Sequence, residues 1–131
     1  MKTNRIVAII QAHMGSSRLP GKVMKDLCGM PALYRMVERV RMCKNIDEIV
    51  IATSLKDCDD ELIEACKQWG VSTFRGSNND VLARFAGTVQ AFVPCDLAED
   101  FTQGMEGVLG QGSCLWVNIR PVGGVEMVAQ I

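Results

Sequence analysis

Residues 6–22 read IVAIIQAHMGSSRLPGK, an apolar run followed by a loop that contains glycine, serine and basic residues. Residues 6–10 carry no polar side chain, which is typical of a strand that is buried on both faces of a sheet. In open parallel sheets, ligands collect beyond the carboxyl ends of the strands, where this loop begins. We therefore expect an α/β domain with a ligand site built around the loop.

The side chains of the loop are suited to phosphate. Gly15 allows the backbone to approach a ligand closely, and Ser16 offers a hydroxyl group. The guanidinium of Arg18 can bind two phosphate oxygens, and Lys22 adds a point charge. From these residues alone, an anion site and an ordinary basic strand-to-helix connection both stay open.

Two familiar nucleotide loops do not match this stretch. A P-loop, GxxxxGK[ST], has four residues between its glycines and a hydroxyl residue after the lysine. Here five residues separate Gly15 from Gly21, and Val23 follows the lysine. The Rossmann fingerprint GxGxxG is also missing from the sequence. A nucleotide would have to be held by a different design.

The pattern of apolar residues alternates between strand and helix as far as residue 92. The predicted elements are, in chain order, a strand at 6–10, a helix near 31–44 with Pro31 in its first position, a strand at 49–53, a helix capped by Asp57 or Asp59 and ended by Gly70, a strand at 71–74, and a helix capped by Asn78 or Asn79. Such alternation favours parallel strands joined by right-handed crossovers. We expect a three-layer α/β domain with a mostly parallel, Rossmann-like sheet of three or four strands.

The totals exclude several classes of protein. A chain of 131 residues with a formal net charge of −1 fits a single domain and has no general basic surface for nucleic acid. No stretch approaches the roughly 20 apolar residues of a membrane span, and no secretory signal is apparent, so we expect a cytoplasmic protein. Six cysteines without a CxxC pair, together with one histidine, argue against zinc and in favour of reduced thiols.

Residues 12–22 and several later segments resemble one enzyme family. AHMGSSRLPGK at 12–22 is similar to the pattern A-R-x-G-S-x-R-L-P-G-K of the cytidylyltransferases, which include the CMP-Kdo, CMP-sialate and spore-coat polysaccharide enzymes. The likeness continues in Val23, Lys25, Leu27, Gly29 and Pro31, through IDEIVIATS at 46–54, in Asp59-Asp60, and through RGS at 75–77 and D-V-L-x-R at 80–84. It is closest to the spore-coat branch. The resemblance covers residues 5–92 and implies a truncated sheet of the nucleotide-diphospho-sugar transferase type.

The resemblance also implies an activity. Cytidylyltransferases transfer CMP from CTP to a hydroxyl of a sugar or sugar acid, release pyrophosphate and use Mg²⁺, here for polysaccharide biosynthesis. Catalysis would rest on positioning and on neutralising charge around the α-phosphorus. The expected partners are CTP or another nucleotide and a sugar or sugar acid, with a homodimer as a further expectation. Neither nucleic acid nor a membrane is expected as a partner.

By the same resemblance, site residues are assigned to the matching positions. Arg18 and Lys22 are expected to be catalytic and to hold the triphosphate together with Ser16. The other nucleotide-binding residues implied by the resemblance are Gln11, Ala12, His13, Gly15, Thr53, Ser54, Ser77 and Asp80. For Arg84, a role in the site and a solvated or salt-bridged helix position both stay open.

The sequence departs from the family pattern in two places. His13 stands where the family has arginine, and a neutral imidazole cannot replace a bidentate guanidinium. A protonated His13 would restore part of the contact, so we expect tighter nucleotide binding below about pH 6.5. The family's Gly-Asp-x-Pro aspartate has no counterpart after residue 92, and Glu99 and Asp100 lie in no matching context. The metal ligand therefore stays unidentified.

The resemblance ends where the composition changes. Residues 1–92 carry 13 Lys and Arg against 10 Asp and Glu, whereas 93–131 carry one against five and hold six of the 12 glycines. We divide the chain into a nucleotide-binding part, 1–92, and an atypical glycine-rich acidic tail, 93–131, that we read as truncated, frame-shifted or chimeric. Three functions stay open: an active cytidylyltransferase, a catalytically inactive nucleotide-binding fragment, and a sugar nucleotidyltransferase that uses another nucleotide.

Overall fold

Five strands and three helices make up residues 7–92, the part of the chain that the computed structural model describes. The elements are β1 (Val7–Gln11), β2 (Asp26–Leu27), β3 (Met30–Pro31), α1 (Ala32–Arg41), β4 (Glu48–Ser54), α2 (Asp60–Trp69), β5 (Ser72–Gly76) and α3 (Val81–Phe92). Short 3-10 turns lie at Lys22–Met24 and Asp57–Asp59. The glycine-rich acidic tail assigned to residues 93–131 lies outside the described part.

The central sheet is parallel, in the order β1-β4-β5. Its register places Ile10 beside Ile51 and Val50 beside Ser72. α1 lies between β1 and β4 in the chain and α2 between β4 and β5, so each crossover connects neighbouring parallel strands. β2 and β3 form a separate antiparallel pair ahead of α1. The predicted α/β fold with a parallel sheet is confirmed.

Helices cover both faces of the sheet. The face toward α3 is packed through buried residues that include Val7, Ile9, Val50, Ala52, Phe85 and Val89. The face toward α1 and α2 is packed through buried residues that include Ile10, Ile51, Leu33, Val37, Leu62 and Cys66. Because side chains alternate between the two faces of a strand, β1 needs an apolar residue at each core position, which explains the continuous run. The predicted three layers are confirmed.

The first two large helices begin and end within a few residues of the prediction. α1 begins at Ala32, not Pro31, because Pro31 has an extended ψ of 143° and pairs in β3, and the helix ends at Arg41. α2 begins at Asp60, after the 3-10 turn. Gly70 ends it with a left-handed φ of 68°, as predicted, since glycine adopts this conformation without the strain of a Cβ.

The cap of α3 differs from the prediction of an asparagine. The carboxylate of Asp80 accepts a hydrogen bond from the Ala83 N–H at 3.0 Å, and the Ser77 hydroxyl accepts one from the Asp80 N–H at 3.1 Å. Asn78 instead accepts a hydrogen bond from the Leu55 N–H at 2.9 Å through its side-chain oxygen. The prediction was wrong because each of three adjacent residues can cap a helix, and the path of the chain after β5 selects one.

Two expectations from composition concern the described residues. None of their helices is both long and apolar enough to cross a membrane. Cys28, Cys43, Cys58 and Cys66 are free thiols. Burial raises the pKa of Cys66 to about 11, so this thiol stays protonated and unreactive at neutral pH.

Candidate functional site

The carboxyl ends of β1, β4 and β5 lie at one edge of the sheet, and a cleft of about 300 Å³ opens there. It is bounded by the loop after β1, the turn after β4 and the loop that leads into α3. The residues that line it are His13, Gly15, Ser54, Lys56, Asp59, Asn78, Asn79, Val81 and Arg84. Three of them, His13, Gly15 and Ser54, were predicted from the sequence.

Asp59 connects the loop after β1 to the end of β4. Its carboxylate accepts hydrogen bonds from the Met14 N–H at 2.7 Å and from the Ser54 N–H at 3.3 Å, and also from the Ser54 hydroxyl. The side chain is fully buried, and no side-chain cap bond to α2 is formed. Asp59 stands at the N-cap position of α2, one of the two predicted, but its side chain forms no cap bond, because its carboxylate accepts hydrogen bonds from residues up to 45 positions away.

The hydrogen bonds keep Asp59 ionised. Burial alone would raise the pKa of this carboxyl, but the hydrogen bonds from Ser54 and Met14 outweigh burial and lower the pKa below its ordinary value. The nearby Thr53 hydroxyl contributes in the same direction. A negative charge is thus held in the wall of the cleft at neutral pH.

Arg84 also lines the cleft, from the first turn of α3. Its side chain is 3% exposed, and its guanidinium donates from Nε to the Ser77 carbonyl at 2.7 Å and from Nη2 to the Asn78 carbonyl at 3.1 Å. A solvated or salt-bridged position, one of the two readings of the sequence, is therefore wrong. Burial lowers the pKa of Arg84, and the carboxylates of Asp59 and Asp80 oppose that shift. The guanidinium still carries its charge at neutral pH.

His13 lines the same cleft as these two charged residues, and both act on its pKa. Burial lowers the pKa of its imidazole below the ordinary value of 6.5, and the positive charges of Arg84, Lys22 and Lys56 lower it further, whereas Asp59 raises it. The imidazole is therefore neutral at pH 7. A ligand with phosphate groups would bring negative charge toward it and favour its protonated form.

The other predicted residues lie around the cleft without lining it. Gln11, Ala12 and Thr53 are buried at the ends of β1 and β4, where the Ala12 N–H donates to the Ala52 carbonyl at 3.0 Å. Ser77 and Asp80 are used in the cap of α3. Ser16, Arg18 and Lys22 belong to the loop after β1.

That loop is closed by its own hydrogen bonds. The Gly21 N–H donates to the Met14 carbonyl at 2.9 Å, and the Ser16 hydroxyl accepts from the Leu19 N–H at 3.3 Å. Gly21 has a left-handed φ of 69°, a conformation that favours glycine. The side chains of Arg18 and Lys22 are exposed.

Sequence reasoning did not assign Asp59 to the site, and it left a site role for Arg84 open. Both lie in or beside segments that resemble the cytidylyltransferases, so the resemblance contained a signal for them. Periodicity alone describes Asp59 as a helix cap and Arg84 as a surface position. Their burial depends on the packing of three loops that are far apart in the chain.

Residues 7–92 do not form a complete metal-binding site. These residues contain no group of three or more His, Cys, Asp or Glu side chains that could hold one. Asp59 is the carboxylate that lines the cleft, and both of its oxygens already accept hydrogen bonds. The described residues therefore do not fit a bound divalent cation by themselves.

Comparison with known proteins gives consistent results. The family model described as cytidylyltransferase matches residues 7–102. The spore coat polysaccharide biosynthesis protein SpsF of Bacillus subtilis is 46% identical over 95 residues, which are 70% of this chain and 40% of that protein. The 3-deoxy-manno-octulosonate cytidylyltransferase of Geobacter sulfurreducens is 30% identical over 100 residues, or 72% of this chain and 38% of the relative.

Solved structures agree with this result. A cytidylyltransferase from Leptospira borgpetersenii serovar Hardjo-bovis matches with a TM-score of 0.64 and 36% identity, over 68% of this chain and 37% of that one. The chain thus spans well under half the length of the relatives that it matches. The family model nevertheless covers most of the 131 residues, including each element that borders the cleft. The chain belongs to the cytidylyltransferase family.

Proposed function

We propose that this chain binds CTP in the cleft and transfers CMP to a hydroxyl of a sugar or sugar acid for polysaccharide biosynthesis. The observation that carries the proposal is the position of the cleft within a cytidylyltransferase fold. The cleft lies at the carboxyl ends of all three parallel strands, next to the basic loop after β1. Ligands of open parallel sheets bind at this edge.

In the proposed reaction, the acceptor hydroxyl oxygen forms a bond to the α-phosphorus of CTP. The bond between that phosphorus and the oxygen bridging to the β-phosphate breaks, and pyrophosphate leaves. Arg18 and Lys22 neutralise the charge of the phosphates, while Ser16 and the backbone around Gly15 hold them in place. Gln11, Ala12, Thr53 and Ser54 border the nucleoside.

Mg²⁺ is part of the proposal through the family resemblance. Proteins commonly bind this ion with one or two carboxylates together with substrate phosphates, and when bound it neutralises phosphate charge. Residues 7–92 do not supply a complete site, so we assign no step of the reaction to the ion. A cytoplasmic location, a homodimer and a link to the spore coat are likewise proposals that rest on the resemblance.

A second candidate is a chain that binds the nucleotide without turning it over. One observation favours it: residues 7–92 contain no group of three or more His, Cys, Asp or Glu side chains that could hold a metal ion. A third candidate, a sugar nucleotidyltransferase that uses another base, differs from the first only in base preference. Experiment separates all three.

The test uses the full 131-residue chain. Thermal unfolding is measured with CTP, UTP, GTP and ATP in turn, and pyrophosphate release is measured with the best nucleotide, Mg²⁺ and a panel of sugar acids. Stabilisation by CTP with pyrophosphate release supports the proposal, whereas stabilisation without release supports the inactive candidate. Stabilisation chiefly by another nucleotide supports the third candidate. No stabilisation by any nucleotide contradicts the proposal.

A further inference from the structure

The guanidinium of Arg84 has one nitrogen that no residue of 7–92 engages. Nε and Nη2 hold the carbonyls of Ser77 and Asn78. Nη1 is buried, and it finds no hydrogen-bond partner among residues 7–92. A buried N–H of a charged group is costly to leave unpaired, so such a group calls for an explanation.

The position of this side chain is tightly determined. A Cβ on Gly76 would lie 2.9 Å from Cγ of Arg84. The Arg84 side chain therefore packs against β5 at a position where only glycine leaves enough room. The Thr88 hydroxyl donates to the Arg84 carbonyl at 2.7 Å and fixes the same turn of α3. Packing therefore holds the guanidinium at the edge of the cleft.

The groups that surround this edge have both signs of charge. Asp59 and Lys56 line the cleft with Arg84, and Lys22 acts on His13 from the loop after β1. Asp59 already accepts three hydrogen bonds from Met14 and Ser54. Its carboxylate is therefore occupied, and the imidazole of His13, which also lines the cleft with Arg84, is neutral.

We propose that Arg84 is an anion-binding residue of the cleft, whose Nη1 donates a hydrogen bond to a phosphate oxygen of the bound nucleotide. Two donors hold the loop that leads into α3, and the third contacts the ligand. This inference rests on the proposed function. Because Nη1 is shielded from solvent, the contact requires a small rearrangement of the cleft wall.

Arg75 provides a matched control for this proposal. Like Arg84, it holds backbone carbonyls: Nε donates to that of Ser54 at 2.9 Å and Nη2 to that of Lys56 at 2.8 Å. Its Nη1 is paired with Asp60 at 2.6 Å, and its side chain does not line the cleft. Substituting Arg75 therefore removes similar structural bonds without removing the free donor.

The experiment compares Arg84→Gln and Arg75→Gln in the full chain by calorimetric titration with CTP. We expect Arg84→Gln to weaken CTP binding by about 10- to 100-fold, as expected for one lost charge-assisted hydrogen bond, and Arg75→Gln to leave it nearly unchanged. Cytidine lacks phosphate, so both variants should bind it with the same affinity as the parent chain. A loss of CTP and cytidine binding by equal factors indicates a purely structural role and overturns the proposal.

A second variant covers the case in which Arg84→Gln does not fold. Arg84→Lys keeps the charge, but a lysine cannot hold both carbonyls and reach a phosphate, so its CTP affinity should fall by about tenfold. Unchanged affinity in the lysine variant contradicts the proposal. If the parent chain itself does not bind CTP, the proposed function fails. If the parent binds CTP and the Arg84 variants bind it equally well, only this inference fails.

Discussion

His13 and Arg84 face the same cleft but respond differently to pH. Arg84 keeps its positive charge throughout the physiological range. The pKa of His13 is lowered by burial and by the cations of Arg84 and Lys22. In the free protein, the His13 imidazole therefore becomes protonated at a lower pH than the sequence alone predicted. Bound phosphate raises the pKa of this imidazole.

We expect CTP affinity to rise as the pH falls from neutral. Bound phosphate raises the pKa of His13, so binding of CTP is accompanied by uptake of a proton. The CTP affinity therefore increases as the pH falls through the pKa of His13 in the complex, and it becomes constant below the pKa of His13 in the free protein. A gain of up to about tenfold is expected. Titration of CTP across this pH range measures it.

The control for this prediction is His13→Gln, which reports the titration of the CTP phosphates alone. Identical pH profiles for the parent chain and this variant would contradict a role for His13. A complementary variant, His13→Arg, should bind CTP about tenfold more tightly at neutral pH and without the proton uptake, because the guanidinium is permanently charged.

Asp59 should contribute strongly to stability. Asp59→Ala leaves the N–H groups of Met14 and Ser54 without their acceptor, so we expect the free energy of unfolding to fall by about 2–3 kcal/mol. Urea unfolding of the variant tests this. Asp57→Ala, at an exposed position in the same turn, is the matched control and should change stability by less than about 0.5 kcal/mol. Equal effects of the two substitutions would contradict a stabilising role for the hydrogen bonds from Met14 and Ser54 to Asp59.

The depressed pKa of Asp59 also determines a pH effect with a definite sign. Its stabilising contribution is fully present above the unfolded-state pKa of about 3.9 and is lost as the pH falls through the lower pKa of the folded state. The stability difference between the parent chain and Asp59→Ala should therefore shrink in acid. A difference that stays constant down to about pH 2 would contradict this assignment.

At the scale of elements, side chains of the loops link the three strand ends. Asp59 joins the loop after β1 to β4, Arg75 and Asn78 join the turn after β4 to β5 and its loop, and Arg84 holds the loop into α3. Most of these bonds go to backbone groups. The walls of the cleft are therefore fixed by specific hydrogen bonds as well as by the hydrophobic layers beneath them.

The contact between α3 and β5 depends on Gly87. A Cβ at this position would lie 2.7 Å from Cζ of Phe74, so Gly87→Ala forces the ring or the helix to move. The clash should outweigh the roughly 1 kcal/mol that alanine adds in helix propensity, leaving a net loss of about 1–3 kcal/mol. Thermal unfolding measures the change. In a Phe74→Leu background the same substitution should be nearly neutral, and a full loss there would point to another cause.

Some strands and helix ends were predicted correctly from the sequence alone, whereas the side-chain bonds of the helix caps were not. Continuous apolar runs predicted β1 and β4 correctly, because a strand buried on both faces has to be apolar throughout. Gly70 correctly marked the end of α2. The cap of α3 was assigned to an asparagine instead of Asp80, and the side chain of Asp59 was taken for a cap of α2, because several polar residues at a helix start are locally equivalent. Their hydrogen bonds depend on which loop lies opposite.

At the scale of the whole molecule, nucleotide binding should be visible as stability. A ligand that binds the folded state alone adds about 2.7 kcal/mol at a concentration one hundred times its Kd. We therefore expect the unfolding temperature of the full chain to rise steadily with CTP concentration. Cytidine at the same concentrations is the control and should raise it much less. Equal shifts with CTP and cytidine would argue against a phosphate site in the cleft.

The sequence by itself determined the class of the fold, the family and the loop that borders the site. These features depend on local patterns: apolar runs, turn residues and the similarity of 12–22 to a known signature. Only the tertiary structure decided that Asp59, Arg84 and His13 line one cleft, that His13 is neutral there and that Nη1 of Arg84 has no hydrogen-bond partner among residues 7–92. Burial and charge arise from packing between segments that are far apart in the chain, such as those of His13 and Arg84, and such separations leave no local pattern in the sequence.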